Sequence, residues 1–394
     1  MIRLFFKILW NNRRRNILVF VELFMISLIL TNLVFYLVNL YEIYKIRNCY
    51  DTNNVIVISL SKKSNEDKNE SETSLSNLKK VLEANSFVES VSSCSNGVPY
   101  NYNSQWNEFR HDSDRVGLGT RFADIDYAKV MRINPVKGRW FNESDFGKKV
   151  TPVLISVDAE KKFFKGNSLG IRMKIDENEF EIIGVTERFK RSDIESPDRF
   201  AFIFKDSVST KNYMGITFLV RTKENRAADM LAVAENQVYT TLNPENWTID
   251  GLNSLENMRV EQNGQSYQGN FLSIIIAIFI MINIFLGTIG ILWYNTNLRV
   301  HEIGIRRAIG ATGKRIRQQL ITESMVIALT ALVIVIAIIV QTPPFFGRRP
   351  VEPGVKGESI ILSALIMLIL VLLSTWIPAG LASKIQPAES LKTE

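Results

Sequence analysis

The chain is 394 residues long, 46% apolar and 22% charged, with a formal net charge of +7. That length allows one or two folded domains. Residues 45–267 carry 31 Lys/Arg against 32 Asp/Glu, so the positive excess lies elsewhere and does not make a nucleic-acid-binding face.

Residues 1–12 alternate aromatic and aliphatic side chains with Arg3 and Lys7 and place Trp10 near their end; Arg13, Arg14 and Arg15 follow. The pattern predicts a cytoplasmic segment, 1–15, lying in the membrane interface, with a frayed tail as the alternative. The next block, 17–40, is predominantly apolar with Glu22 as its one charged residue and matches the ~20 residues that cross ~30 Å of hydrocarbon. It exceeds the ~7–15 residues of a signal-peptide core and no small-residue cleavage site follows, so it reads as a retained span, helix 16–44.

A strand is expected over 53–60, a polar loop over 61–74, a helix carrying Leu75, Leu78, Val81 and Leu82, and a strand over 87–91. A second strand–helix–strand unit is expected over 216–220, 227–239 and 247–249. Between them lies a region richer in strands and turns. There 152–156 and 180–185 read as strands, Asp158 is placed to cap a short helix, and Gly166 and Gly170 supply turns. Residues 252–270 are polar and free of proline, so helical continuity into the second span, and of 41–47 out of the first, would make a stalk.

Three further apolar blocks, 271–294, 320–340 and 360–377, predict spans 268–294, 319–341 and 359–379. Arg299, Arg306, Arg307, Lys314, Arg315 and Arg317 crowd the segment 295–318, whereas the loop 342–358 has only Arg348, Arg349 and Lys356. The positive-inside rule puts both termini, including the tail 380–394, and 295–318 in the cytoplasm, and 45–267 outside. The expected fold class is an α+β membrane protein with four transmembrane helices and a large extracytoplasmic α/β domain between the first and second.

The 295–318 segment is too charged for lipid and too apolar (Leu298, Ile303, Ile305, Ala308, Ile309, Ile316) for a solvated linker. An amphipathic helix seated in a protein groove fits it, with Gly304 and Gly310 permitting close backbone approach and Arg306 and Arg307 facing carboxylates there. A loop that only fixes topology or binds anionic lipid fits the pattern equally well. Gly310 to Lys314 looks like a phosphate loop but has two residues between its glycines and Arg315 after the lysine. Phosphate loops need four intervening residues and a following Ser/Thr. No ATPase is therefore expected in this chain, and no cofactor is expected to be bound by it.

His111 and His301 are the only histidines and fall on opposite sides of the membrane, which argues against a His-based metal site or hydrolase triad. Cys49 precedes the first strand and Cys94 follows the second; parallel strands in a strand–helix–strand unit set them at opposite ends, so free thiols are expected. Two carboxylates, Glu22 and Glu323, lie inside spans, either as functional groups or paired with a nearby arginine. Gly287 and Gly290 would let another helix approach the second span, although their spacing is not GxxxG.

Arg299, Glu302, Ile303, Gly304, Ile305, Arg306, Arg307, Ala308, Gly310, Ala311 and, further on, Glu323 follow the order and spacing of the FtsX-like permease family, and within it the MacB-like branch. The stretch from Pro378 to Leu391 resembles that family's ending. Gly138-Arg139-Trp140-Phe141 and Phe180 to Val185 resemble its extracytoplasmic domain. The resemblance implies porter-like β-α-β halves with a β-rich insert, in a dimer of this chain with an identical or related permease. It implies two copies of an ABC ATPase below, carrying ATP and Mg. Arg299 to Ala311 and Lys314 would form a coupling helix against that ATPase. ATP-driven motion would pass to the outer domain for export of a periplasmic peptide, antibiotic or lipid-like molecule, with an adaptor and outer-membrane channel. A lipoprotein-extracting permease of the LolC/LolE kind and an FtsX-kind regulator of a cell-wall hydrolase share the topology. A membrane sensor would need a cytoplasmic output domain, and none is expected in these 394 residues.

Overall fold

The computed structural model describes residues 13–63, 68–101, 105–112, 114–193, 195–197, 199–205, 215–342 and 353–382. These separate into two compact units, residues 43–268 and the helices outside that range. Residues 1–12 of the expected interfacial segment 1–15, most of the loop 342–358 and the tail from 383 onward lie outside the described residues.

Helix α1 (Arg13–Lys45) precedes the 43–268 unit. Strand β1 (Val55–Lys62), helix α2 (Lys68–Glu83) and strand β2 (Val88–Ser95) come next. Residues 68–74 are therefore helical, which corrects the loop expected over 61–74. Leu75, Leu78 and Leu82 bury one stripe of α2, and the helix extends about two turns further toward its N-terminus, where Ser71 is also buried.

The β-rich region follows as β3 (Gln105–His111), β4 (Asp114–Ala123), α3 (Tyr127–Met131), β5 (Pro135–Gly138) and β6 (Thr151–Ser156). Then come α4 (Val157–Phe164), β7 (Arg172–Ile175), β8 (Asn178–Thr186) and β9 (Phe200–Phe204). The unit closes with β10 (Gly215–Thr222), α5 (Ala227–Thr241) and β11 (Trp247–Ser254).

The two strand–helix–strand units are interleaved. β10 lies between β1 and β2 and pairs antiparallel with both, through Val57↔Leu219 and Val220↔Val91. β1 in turn lies between β10 and β11. The two strands of each unit thus run parallel but are never neighbours, the split arrangement of ferredoxin-like sheets. Side chains alternate across β1: Ile56, Ile58 and Leu60 pack under α2 and α5, while Val55 and Val57 join an aromatic cluster on the other face with Tyr127, Phe189, Phe200 and Phe202. Burial of both faces explains why β1 reads as a continuous apolar run.

The insert has its own core of Phe109, Leu118, Val153, Ile155, Phe180 and Ile182. It joins the first sheet where β4 meets β2, at Cys94↔Ala123 and Ser95↔Phe122. Ser156, not Asp158, caps α4: its Oγ accepts from the Ala159 N–H. Val157 is already helical, so the capping position falls two residues earlier than the sequence suggested, and Asp158 instead pairs with Arg188 at 3.1 Å.

The two outer-domain stretches singled out in the sequence meet each other. Gly138 ends β5 opposite Gly184 of β8. Gly138 has φ +69°, and a Cβ there would stand 2.2 Å from the Ile183 carbonyl oxygen; one on Gly184 would stand 2.6 Å from the Arg139 carbonyl oxygen. Glycine at both positions lets the two backbones touch. Cys49 and Cys94 are free thiols packed against the same aromatic cluster, and burial pushes both up to about 12.

The second unit holds α1 with α6 (Leu255–Asn297, from residue 269 onward), α7 (Val300–Ala308), α8 (Gly313–Gln341) and α9 (Pro353–Ala382). Four of these, α1, α6, α8 and α9, are long and apolar enough to cross a membrane. They pack through Val19, Leu23, Ile26, Leu30 and Val34 of α1, Ile284 and Leu292 of α6, Ala328, Ala331 and Leu332 of α8, and Met367 and Val371 of α9. The small residues of α8 allow close helix approach without any hydrophobic drive from lipid. Outside the core, Ile17, Val21, Met25 and Ile29 make an exposed apolar stripe along α1.

Candidate functional site

α6 ends at Asn297, α7 spans nine residues, and Gly310 turns the chain into α8. Gly310 has φ +100° and nothing within 4 Å of a Cβ built on it. Within this chain its glycine serves the left-handed turn. The Gly310–Lys314 stretch is thus a helix–turn–helix junction.

α7 presents two faces. Ile303 and Gly304 are buried, and Ile303 packs with Ile316 and Leu320 of α8 and Ala379 and Ala382 of α9. Alongside runs a chain of alternating polar partners. Glu302 Oε1 takes Arg306 Nη2 at 2.6 Å, Arg306 Nη1 donates to Gln319 Oε1 at 2.7 Å, and Gln319 Nε2 donates to Glu323 Oε1 at 2.9 Å. The other carboxylate oxygen of Glu323 receives Arg299 Nη1. The side chains of Arg299 and Glu323 are only 9% and 5% exposed, so this ion pair is shielded from water. Arg299 Nε is also buried and has no hydrogen-bond partner among the described residues, which leaves Glu323 to balance the guanidinium.

The opposite face of α7 is bare and apolar: Ile305 and Ile309 are 42% and 82% exposed. Ala308 and Lys314 are exposed beside them, with Ala311 half-buried. The sequence motif thus divides in two. Arg299, Glu302, Ile303, Gly304 and Arg306 bind α7 to its own chain, and Ile305, Ala308, Ile309 and Lys314 are presented outward. Within this chain Arg306 donates to Glu302 and Gln319. Glu22 is not part of this cluster: it is half-buried, with Oε1 3.8 Å from the place a Cβ on Gly287 would occupy.

Comparison with known proteins identifies both parts. The MacB-like periplasmic core domain matches residues 31–236, and the FtsX-like permease C-terminal domain matches residues 274–387. The chain belongs to the MacB-like family of FtsX-like permeases.

The macrolide export ATP-binding/permease protein MacB of Escherichia coli K12 is 24% identical over 300 residues, which is 72% of this chain and 45% of that protein. MacB of Shigella flexneri matches to the same extent. The chain therefore spans about half the length of the curated relatives it matches. Among solved structures, the periplasmic region of MacB from Actinobacillus actinomycetemcomitans covers 54% of this chain and 94% of its own, at 14% identity and TM-score 0.36. The extracellular domain of the ABC-type transporter YknZ from Gram-positive bacteria covers 50% and 100%, at 17% identity and TM-score 0.34.

In this MacB-like permease Glu323 takes the second of the two roles its sequence position offered, pairing with a nearby arginine, Arg299. Gln319, which bridges Arg306 to Glu323, carried no sequence signal. A helical reading of 313–323 would have placed Gln319 and Glu323 one turn apart on one face. Ala379 and Ala382, which floor the α7 site, sit in the P-A-x-x-A-S stretch that the resemblance singled out.

Proposed function

We propose that this MacB-like chain is the permease subunit of an ABC system in the inner membrane, with both termini and α7 on the cytoplasmic side. It couples ATP hydrolysis on an ABC ATPase carried outside these 394 residues to movement of the 43–268 unit. The movement serves export of a periplasmic substrate such as a peptide, antibiotic or lipid-like molecule. ATP and Mg stay with the ATPase, present in two copies, and the permease pairs with an identical or related chain. A periplasmic adaptor and an outer-membrane channel complete the path.

One observation carries the reading: α7 is fastened on one side to α8 and α9 and leaves Ile305 and Ile309 exposed on the other. A helix held rigidly by its own chain, with apolar side chains bare beside a cationic Lys314, is built to receive a protein groove and pass on its motion. The flanking Arg/Lys excess supports the cytoplasmic placement.

Purification of the tagged chain in mild detergent, with co-purifying proteins identified by mass spectrometry, tests this. An ABC ATPase is expected. Burying one isoleucine contributes about 1.5–3 kcal/mol, so Ile309→Asp is expected to weaken the association at least ~10-fold. An intact complex lacking any ATPase would refute the proposal.

A further inference from the structure

Where the chain enters and leaves the 43–268 unit, one carboxylate collects donors from both ends. Asp193 lies between β8 and β9, with its side chain 13% exposed. Its Oδ1 accepts from Asn48 Nδ2 at 3.0 Å and from the Tyr100 hydroxyl at 2.8 Å. Its Oδ2 accepts from Arg259 Nε and Asn263 Nδ2, each at 2.8 Å. The Asp193 N–H donates back to Asn263 Oδ1 at 3.3 Å. A carboxylate offers about four acceptor positions, and here all four are taken, one of them by a cation.

The donors come from places far apart in the chain. Asn48 stands three residues beyond the end of α1, and Tyr100 follows β2. Arg259 and Asn263 are one turn apart near the start of α6, the helix that continues as the second apolar span. A second tie runs beside the first: Lys190 Nζ donates to the carbonyls of Ile43 at 3.1 Å and Asp193 at 2.8 Å, and the Tyr50 hydroxyl donates to the Lys190 carbonyl at 2.7 Å. Apolar packing alone would let these segments slide, because it has no preferred direction. Charge-assisted hydrogen bonds fix their register and orientation.

We infer that Asp193 is a positioning residue, the clasp through which the incoming segment after α1 and the outgoing start of α6 are joined to the 43–268 unit. A displacement of either segment is then passed to the unit instead of being absorbed in a loose connection. The functional consequence rests on the coupling role proposed above; the clasp itself is a property of this chain alone.

The test uses the full-length chain and Asp193→Asn, which keeps the shape but turns one acceptor into a donor facing donors. Amide hydrogen exchange is expected to rise about 10-fold or more over 43–50 and 255–263 while β1 and β10 keep their protection. Unchanged exchange in those two segments overturns the clasp. Should the variant lose protection throughout the sheet, Asn263→Leu decides, since it removes one arm and spares the carboxylate. Faster exchange over the same two segments upholds the clasp, and unchanged exchange overturns it.

In the complex with its ATPase, Asp193→Asn is expected to hydrolyse ATP at the wild-type rate while export falls about 10-fold, a split that a merely structural defect would not produce. Wild-type export per ATP in that variant overturns the positioning role. A wild-type complex with no ATP-driven export refutes the coupling role and leaves the exchange result for the clasp standing.

Discussion

Replacing Glu323 by alanine removes the acceptor that balances Arg299 and ends the hydrogen bond from Gln319 Nε2. Both members of the pair are more than nine-tenths shielded. Breaking a buried pair by deleting one partner costs about 3–5 kcal/mol, because the remaining charge is left without compensation. Spent on the docking of α7, even ~3 kcal/mol raises the open population of that helix about 100-fold. Trypsin reads this directly, since Arg306 and Arg307 lie on α7 and cleavage there requires the helix to leave α8. In Glu323→Ala, cleavage at these sites under native conditions is therefore expected about 100-fold faster than in the wild type. The double variant Arg299→Ala/Glu323→Ala leaves no stranded charge at this pair and is expected to recover much of the protection. Equal cleavage of the wild type and Glu323→Ala would refute the argument, as would a double variant no better protected than Glu323→Ala.

Other expectations follow from single positions. Gly138→Ala sets a Cβ 2.2 Å from the Ile183 carbonyl oxygen at a φ of +69°, so its loss of stability in a denaturant titration should exceed the ~1–2 kcal/mol of the left-handed backbone alone. Gly147→Ala, at φ +65° with nothing within 4 Å, should lose only that backbone cost, and equal losses would discount the β5–β8 contact.

Burial pushes the Asp193 carboxyl up, but the Tyr100 hydroxyl and Arg259 outweigh it and hold it below the usual carboxylate value. Burial likewise acts against Asp145, and Arg139 and Lys148 hold that carboxyl well below the usual range. A carboxyl whose folded pKa is depressed binds protons more weakly when folded. Its stabilisation is complete above the unfolded value of about 4 and is lost as pH falls through the folded one. Acid titration of the folded chain should therefore loosen 43–50 and 255–263 below about pH 4, an effect absent in Asp193→Asn. Cys49 and Cys94, with thiols pushed up to about 12 by burial, should resist maleimide at neutral pH until the chain is unfolded, and rapid labelling of the native chain would contradict their packing.

Much of this architecture was legible in local patterns. The four spans follow from runs of about 20 apolar residues, because a helix crossing lipid has no choice but to be apolar along its length. The helix of the first strand–helix–strand unit showed in periodicity, since Leu75, Leu78 and Leu82 must share one face to be buried. The start of α2 was misplaced for the same reason: its first turns are polar outward and carry no periodic signal.

What tertiary structure alone decided involves partners distant in the chain. The insertion of β10 between β1 and β2 depends on pairings such as Val55↔Arg221, and no local pattern records which strand will be a neighbour. The motif around Arg299 was readable as a motif, yet its division into a face bound to its own chain and a face turned outward required Gln319, Glu323 and Ala379 to be brought to it. In the sequence Asp193 stands among other charges, Lys190, Arg191 and Glu195, and no local pattern singles it out. Its meaning comes from Asn48, Tyr100, Arg259 and Asn263 arriving at one carboxylate. Hydrophobic periodicity is a property of each segment by itself, whereas hydrogen-bond convergence exists only once the chain has closed on itself.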